Sequence, residues 1–302
     1  MSDSHHNGHE AHGDHPQHAH AEHGHADHGA RTFEVRVLRQ DGPDSPSYWE
    51  RHRLPHEPDM NVTSVLQRIA AQAQTIDGLE VAPVAYDANC LEEVCGSCTM
   101  IINGRVRQAC SALVDKLLAE HPEEIELQPM SKFPVLRDLC VNRRRLFRGL
   151  EKVKAWIPVD GYYDMGPGPR QSQAQQEVAY PLSECMSCGC CLDACPQYSH
   201  VEVERSAGES DTQYAARENA TYDTHFIGAA PMSQVVYYNL HPTGNLNAGE
   251  RLDALTTAGG IQACGNAQNC VAVCPKSIPL TTSIAQLGRD TTKRMFTKWF
   301  DR

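Results

Sequence analysis

The sequence predicts an α+β protein of two domains, a small mixed domain followed by a mostly α-helical one. Between residues 30 and 132, patterns typical of strands, one amphipathic helix and a β-hairpin surround a first group of cysteines. Between residues 133 and 302, helical patterns surround two further cysteine groups that share a spacing. A chain of 302 residues is long enough for two such domains.

The chain has thirteen cysteines, far more than an ordinary domain needs. A disulfide-rich secreted protein is one alternative, but residues 1–29 lack the apolar region of a signal peptide. Clustered C-x2-C spacings in a reducing compartment favour metal binding. The sequence has no stretch of 18 or more mainly apolar residues, so it predicts no membrane span. The net charge of −11 argues against a nucleic-acid partner.

Residues 1–29 form a histidine-rich tail that holds ten of the sixteen histidines, five acidic residues and no Lys or Arg. The tail has few apolar residues to anchor it to a core, so the sequence predicts disorder. Its histidines are also suited to Zn²⁺, Ni²⁺ or Cu²⁺.

The first domain (30–132) begins with apolar and polar residues alternating from Phe33 to Val37, the period of a half-buried strand. An amphipathic helix follows, with Asn61 as its N-cap. Its apolar stripe consists of Val62, Val65, Leu66 and Ile69. Asn103-Gly104 then predicts a tight hairpin, because both residues tolerate positive φ.

The cysteines of this domain have the plant-type [2Fe–2S] spacing: Cys90, Cys95, Cys98 and, after the hairpin, Cys110. Small residues such as Gly96 and Ser97 let backbone N–H groups approach the sulfurs. Four cysteines also suit tetrahedral Zn²⁺, although structural zinc sites more often use two short knuckles.

The second domain (133–302) is predicted to be mainly helical. A stripe that starts at Leu136 and Leu139 continues to Val153, with Arg143, Arg144 and Arg145 on a solvated face. Proline-rich punctuation at residues 166–169 separates this segment from the cysteine-rich part. The polar segment 199–222 has no period and predicts a surface loop, whereas residues 249–258 predict a helix that ends at two glycines.

The two later cysteine groups have the spacing of ferredoxins with two cubane clusters, in which the cysteine before proline binds the other cluster. This rule assigns Cys185, Cys188, Cys191 and Cys274 to a [4Fe–4S] cluster. Cys195, Cys264 and Cys270 remain for the other, and Ala267 stands where a fourth cysteine is expected. Three thiolates suit a [3Fe–4S] cluster. Cys140 and Cys190 are left over and are predicted to be buried thiols that bind no metal.

Residues 31–302 resemble the iron–sulfur subunits of succinate dehydrogenase and fumarate reductase. The resemblance rests on the segment from Cys90 to Cys98, on Lys132-Phe-Pro-Val-Leu-Arg-Asp-Leu139 and on both Cys-Pro motifs. Further matches are His241-Pro-Thr-Gly244, Gly249-Glu-Arg-Leu252 and Pro275-Lys-Ser-Ile-Pro279. The resemblance implies a plant-type ferredoxin (β-grasp) domain followed by an α-helical, bacterial-ferredoxin-like domain.

It also implies that this chain conducts electrons and has no catalytic residues of its own. A flavoprotein subunit would oxidise succinate at FAD in the tricarboxylic acid cycle, and electrons would pass through the three clusters to a quinone at a membrane anchor. The complex would lie on the cytoplasmic face of the bacterial inner membrane, with the [3Fe–4S] end toward the bilayer.

Four positions depart from the ubiquinone-linked members of this family, which commonly carry Ser and a Trp pair after the first Cys-Pro and His after the first cysteine of the third motif. Here these positions are Gln197, Tyr198, Ser199 and Gly265. The sequence is more similar to menaquinone-linked members, whose anchor is a single cytochrome b that carries haem b. A fumarate reductase working in the opposite direction, or a subunit of another flavoprotein, is the alternative function, and a zinc-stabilised scaffold is the non-redox alternative.

Overall fold

A five-stranded sheet forms the first part of the chain in a computed structural model that describes residues 31–122, 124–157 and 170–300. The predicted tail (1–29) and the punctuation at 166–169 lie outside the described residues. The strands are β1 (Thr32–Arg39), β2 (Tyr48–Pro55), β3 (Thr99–Ile102), β4 (Arg105–Gln108) and β5 (Glu124–Gln128). Their order is β2-β1-β5-β3-β4, with β1 and β5 parallel and the other pairs antiparallel.

The predicted alternation on β1 is confirmed, because Phe33, Val35 and Val37 are buried while the residues between them are not. Asn103 and Gly104 form the predicted turn between β3 and β4, with φ of 48° and 72°. Phe33, Val35 and Val37 line one face of the sheet and form a core that includes Ile125 and Leu127 of β5.

Helix α1 (Val62–Gln72) packs its apolar stripe into this core. The Asn61 side chain accepts a hydrogen bond from the Ser64 amide at 2.9 Å, and the Ser64 hydroxyl accepts one from the Asn61 amide at 3.0 Å. This reciprocal cap satisfies amides that would otherwise lack partners. A second helix, α2 (Val114–Glu120), follows the hairpin, and the whole is the predicted β-grasp arrangement.

A two-stranded ribbon, β6 (Val135–Arg137) and β7 (Cys140–Val141), stands where the sequence predicted the start of a helix. Leu136 is therefore 50% exposed rather than part of a buried stripe. Asp138 turns the chain back with φ of 47° and is fully buried. Its carboxylate accepts a hydrogen bond from Arg39 Nε at 2.9 Å, an ion pair that holds the ribbon against β1.

The rest of the described chain is helical, as predicted. Its helices are α3 (Arg144–Lys152), α4 (Gln173–Ser183), α5 (Cys190–Asp193), α6 (Asp211–Thr224), α7 (Ala229–Leu240), α8 (Ala248–Leu255), α9 (Asn269–Ala272) and α10 (Leu280–Phe300). Helix α7 lies at the centre and contacts α4, α8 and α10. None of the described helices has the length and apolar character that crossing a bilayer requires.

Two local predictions in this part are wrong. The segment predicted as a loop contains α6, which starts with a capping box in which Ser210 and Gln213 bond each other. Arg145, predicted to face solvent, is 4% exposed and donates hydrogen bonds to the carbonyls of Ser199 and Phe226. Its acceptors are distant in sequence, so local periodicity did not reveal them.

Candidate iron–sulfur sites

The loop from Cys90 to Cys98 turns its backbone amides toward two sulfurs. Leu91 and Glu93 have φ of 61° and 55°, a left-handed conformation that reorients the peptide units between the cysteines. The amides of Glu92, Val94 and Cys95 donate to Cys90 Sγ at 3.4, 3.3 and 3.3 Å. Amides of Cys90 and Ser97 donate to Cys95 Sγ, each at 3.5 Å. Such N–H groups stabilise negative charge on sulfur.

The other two predicted ligands of this group, Cys98 and Cys110, are buried. Cys98 precedes β3 and Cys110 follows β4, so both lie at the open end of the hairpin. Burial, aided by the nearby Cys98 and Cys90 sulfurs, raises the pKa of Cys110 to about 11. A hydrogen bond from the Ser97 hydroxyl, with those from the two amides, lowers the pKa of Cys95 to about 6. The fold thus brings the four sulfurs close together, with amide donors around Cys90 and Cys95 and with Cys98 and Cys110 buried.

A small cavity in the helical part is lined by cysteines from both Cys-Pro segments. Cys185, Cys188 and Cys191 come from the first segment and Cys274 from the second. Ser187 and Gly189, with φ of 50° and 88°, bend the chain between the first three. Burial raises the pKa of Cys185, and the neighbouring Cys188 and Cys274 sulfurs raise it further.

A second small cavity is lined by the three remaining cysteines of the two Cys-Pro segments that were predicted to bind a cluster. Cys195 comes from the first segment, and Cys264 and Cys270 come from the second. Ala267 lines the same cavity. Burial raises the pKa of Cys270, and the Cys195 and Cys264 sulfurs raise it further. The remaining wall is largely apolar and includes Phe226, Ala229, Met232 and Ile284.

The donor sets fit iron–sulfur clusters. In the described residues, no three Cys, His, Asp or Glu side chains close on the position of a single metal ion. The sulfurs in the helical part instead border two small cavities, each shared by cysteines of both segments, and those of the first group receive amide hydrogen bonds. Several cysteine sulfurs around one shared space, with N–H···S bonds to some of them, are surroundings that suit iron–sulfur clusters.

Arg143 joins the loop of the first group to that of the second. Its guanidinium donates to the carbonyls of Gly96 at 2.7 Å and Ser97 at 2.6 Å, and to that of Cys188 at 3.4 Å. Sequence reasoning missed this role, because the charged run Arg143–Arg145 looks like a solvated face. Its acceptors are backbone carbonyls at least 45 residues away, for which the sequence has no signal.

The two leftover thiols have different surroundings. Cys140 lies on β7 rather than on a helix, where burial and the nearby Asp87 raise its pKa to about 11. Cys190 is fully buried and accepts a hydrogen bond from Gln108 Nε2 at 3.2 Å. The adjacent Cys190 lowers the pKa of Cys188 to about 7. The expectation of a merely apolar Cys190 therefore omitted its polar contacts.

The four positions that depart from ubiquinone-linked relatives lie beside the second cavity or behind it. The Gln197 amide covers Gly265 so closely that a Cβ there would lie 2.5 Å from Gln197 Nε2. Tyr198 is 1% exposed, and its ring lies 3.9 Å from the Arg145 guanidinium carbon. The Ser199 carbonyl accepts a hydrogen bond from Arg145. Of these side chains, only that of Gln197 is polar, exposed and part of the cavity lining.

Comparisons with known proteins agree with this geometry. The family described as "2Fe-2S iron-sulfur cluster binding domain" matches residues 34–148, and "4Fe-4S dicluster domain" matches residues 181–278. The succinate dehydrogenase iron-sulfur subunit of Bacillus subtilis is 48% identical over 270 residues, which cover 89% of this chain and 96% of the relative. The fumarate reductase iron-sulfur subunit of Wolinella succinogenes is 27% identical, with 86% and 97% covered.

Among solved structures, a chain of the Mycobacterium smegmatis Sdh1 complex in the apo form has a similar fold. Its TM-score is 0.66 at 22% sequence identity, and the match covers 88% of this chain and 98% of that chain. At this identity the likeness supports the order of a sheet domain followed by a helical domain.

Proposed function

Since the chain belongs to the iron–sulfur subunits of succinate dehydrogenase and fumarate reductase, we propose that it is the electron-transfer subunit of a succinate:quinone oxidoreductase. In this role it passes electrons from FAD in a flavoprotein subunit through [2Fe–2S], [4Fe–4S] and [3Fe–4S] clusters to a quinone at a membrane anchor. The observation that carries the proposal is the exchange of Cys195 and Cys274 between the two cavities. Cys195 of the first segment lines the second cavity, and Cys274 of the second segment lines the first cavity.

Each residue group has a defined task in this proposal. The [2Fe–2S] ligands are Cys90, Cys95, Cys98 and Cys110; the [4Fe–4S] ligands are Cys185, Cys188, Cys191 and Cys274; the [3Fe–4S] ligands are Cys195, Cys264 and Cys270. When bound, the clusters supply reversible one-electron chemistry, which the side chains of this chain do not. The protein holds the sulfurs, donates N–H groups to them and excludes water from the buried ones.

The proposed direction is succinate oxidation. The chain shares 48% identity with a succinate dehydrogenase subunit but 27% with a fumarate reductase subunit. Fumarate reduction, or service to another flavoprotein, remains the alternative, because both directions use the same cofactors in the same order. A potentiometric titration of the clusters in the purified complex, with turnover measured in both directions, distinguishes them.

The proposed acceptor is menaquinone, bound mainly by a cytochrome b anchor that carries haem b. In support, the side chain that covers Gly265 is the neutral amide of Gln197, and Tyr198 is 1% exposed and does not line the cavity. This arrangement offers no imidazole or indole at the four positions compared above. The complex is proposed to lie on the cytoplasmic face of the bacterial inner membrane.

The experiment that tests the function is EPR and optical spectroscopy of the complex purified from membranes. Three centres that succinate reduces, together with a haem b spectrum and menaquinone reduction, are expected. Cys90→Ala should remove the [2Fe–2S] signal and stop electron flow from flavin to quinone. A colourless complex, or one that reduces only ubiquinone and has no haem b, would contradict the proposal.

A further inference from the structure

The last two turns of α10 carry an apolar surface on the outside of the protein. Met295, Phe296, Trp299 and Phe300 are 59–75% exposed. At about 100° per residue, these four side chains span an arc of about 140° around the helix axis, the outer arc of α10. The ring centroids of Trp299 and Phe300 are 4.9 Å apart, so the two rings pack against each other within this arc.

The opposite side of the same helix packs on the protein. Leu287 and Thr291 are buried there. Arg294 and Lys298 both pair with Asp253 of α8, at 3.0 and 2.7 Å. These contacts fix the rotation of α10 about its axis and leave the outer arc pointing away from the core. An amphipathic helix normally turns its apolar side to the core, so an apolar side that faces outward indicates a partner outside this chain.

Basic residues border the outer arc, although the chain as a whole is acidic. Residues 289–300 hold four basic side chains and one acidic side chain, whereas the net charge of the chain is −11. On the helical wheel, Lys293 lies at one edge of the outer arc and Lys298 at the other. Long lysine side chains at the edges of an apolar face reach lipid phosphates while the aromatic rings enter the acyl boundary. The local charge is thus complementary to anionic phospholipid headgroups.

Helix α10 also connects the outer arc to the proposed [3Fe–4S] cavity. Thr281 and Ile284, from the first turns of α10, line that cavity. At 1.5 Å per residue, Ile284 and Phe296 are about 18 Å apart along the helix axis. A bilayer that lies beside the [3Fe–4S] cavity, as in the proposed function, is therefore close to the outer arc as well.

We propose that the outer arc of α10 binds directly to the surface of a bilayer that contains anionic phospholipids. The inference goes beyond the proposed function, which assigns membrane attachment to a partner subunit; only the position of the bilayer near the [3Fe–4S] cavity rests on that function. Met295, Phe296, Trp299 and Phe300 bury apolar area at the acyl boundary, and Lys293 is attracted to the phosphates.

The test is sedimentation of the full chain, loaded with its clusters and free of partner subunits, with phospholipid vesicles. Equimolar phosphatidylglycerol and phosphatidylcholine should bind the chain with a partition coefficient at least about tenfold higher than phosphatidylcholine alone. High salt, about 0.5 M, should abolish the difference, because it screens the lysines. Tryptophan emission should shift to the blue on binding, and Trp299→Phe should keep the binding but lose most of this shift.

The outer-arc double variant, Phe296→Gln with Trp299→Gln, should lower the partition coefficient about tenfold or more, because two rings no longer leave water. Lys293→Gln should lower it about fivefold. Tyr180→Gln is the matched control. Tyr180 is an aromatic residue of α4 that is 61% exposed, much like Phe296, and its loss should leave the partition coefficient unchanged.

The outcomes separate this inference from the proposed function. Vesicle binding by a chain that shows no cluster EPR signals would overturn the proposed function and support the lipid contact. Intact cluster signals without vesicle binding would overturn the inference alone. Equal binding to vesicles of phosphatidylcholine, or an equal loss in Tyr180→Gln, would also overturn it. A double variant that turns a dimer into a monomer without changing vesicle binding would show that a second copy covers the outer arc, which again overturns the inference.

Discussion

Gly96 packs directly on Cys188, and a Cβ at Gly96 would lie 2.6 Å from the Cys188 Cβ and 2.7 Å from its Cα. Gly96 belongs to the loop proposed to hold the [2Fe–2S] cluster, and Cys188 is a proposed [4Fe–4S] ligand. Gly96 also has φ of 69°, so its conformation and its contact both require the absence of a side chain. At this point the Gly96 backbone packs directly on the proposed ligand Cys188, and no side chain of the first loop lies between them.

Gly96→Ala is expected to destabilise the complex by more than the ~1–2 kcal/mol that a left-handed φ costs by itself, because the new methyl group also displaces Cys188. Thermal loss of cluster absorbance measures this effect. Gly104→Ala is the matched control, since Gly104 has a similar φ of 72° but nothing within 4 Å of its would-be Cβ. Equal losses of stability in the two variants would contradict the contact.

Arg143→Met is expected to lower the free energy of unfolding by about 1.5–3 kcal/mol, because it removes charged hydrogen bonds to three carbonyls of the two loops. Both the [2Fe–2S] and the [4Fe–4S] EPR signals should broaden as the loops lose their common restraint. Arg68→Met removes an exposed pair with Glu57 and should cost about 1 kcal/mol or less. If Arg143→Met lowered the free energy of unfolding no more than Arg68→Met does, Arg143 would not hold the two loops together.

Ala267→Cys is expected to supply a fourth thiolate to the cavity of Cys195, Cys264 and Cys270. A fourth iron can then bind, so the [3Fe–4S] EPR signal of the oxidised complex should shrink and the iron content should rise. Val271→Cys adds a thiol on an exposed position that does not line the cavity, and its signal should stay unchanged. If Ala267→Cys leaves the signal as it was, Ala267 does not mark the open corner.

Arg39→Met is expected to lower the free energy of unfolding by about 3–5 kcal/mol, because it removes the buried cation that the Glu50 and Asp138 carboxylates share. Arg36 lies on the same strand but pairs with Glu124 and Glu126 at the half-exposed surface. Arg36→Met should therefore cost only about 1 kcal/mol. Thermal unfolding of the complex, followed by far-UV circular dichroism, compares the two variants, and similar melting temperatures would argue against a strongly coupled buried network.

Acid should weaken this same network through Glu50. Burial alone raises the pKa of its carboxyl, but hydrogen bonds and charge from His52 and Arg39 outweigh burial and lower it below the ordinary value. A lowered pKa contributes stability above the ordinary pKa and loses it as the pH falls through the lowered one. The stability difference between the unmodified complex and Glu50→Gln should thus be constant above about pH 5.5 and narrow toward about pH 4. A difference that does not depend on pH would contradict this linkage.

The sequence was sufficient for features that depend on short spacing. The alternation around Val35, the cap at Asn61 and the turn at Asn103-Gly104 are local, and the structure has all three. The cysteine spacings also predicted which sulfurs share a cavity, since the proline after Cys195 and after Cys274 ends each local helix. These patterns carry their structural consequence within a few residues.

Features that depend on distant partners were not predictable in this way. Leu136 fits a helical stripe, but the buried pair of Asp138 with Arg39, 99 residues apart, imposes a ribbon instead. Arg143 and Arg145 look like surface residues until their carbonyl acceptors are in place. Helix α6 was predictable in principle, because Ser210 and Gln213 have capping-box spacing. Its surface is only weakly apolar, however, so the sequence shows no clear helical period of apolar residues there.

The exchange of Cys195 and Cys274 also has a consequence for maturation. In the proposed ligand sets, neither cysteine-rich segment completes a site from its own residues, and each site stays open until the other segment has folded against it. Insertion of either cluster therefore draws residues 185–195 and 264–274 together and preorganises the thiols for the next one. The two cofactors of the helical domain are expected to be acquired, and lost, as a pair.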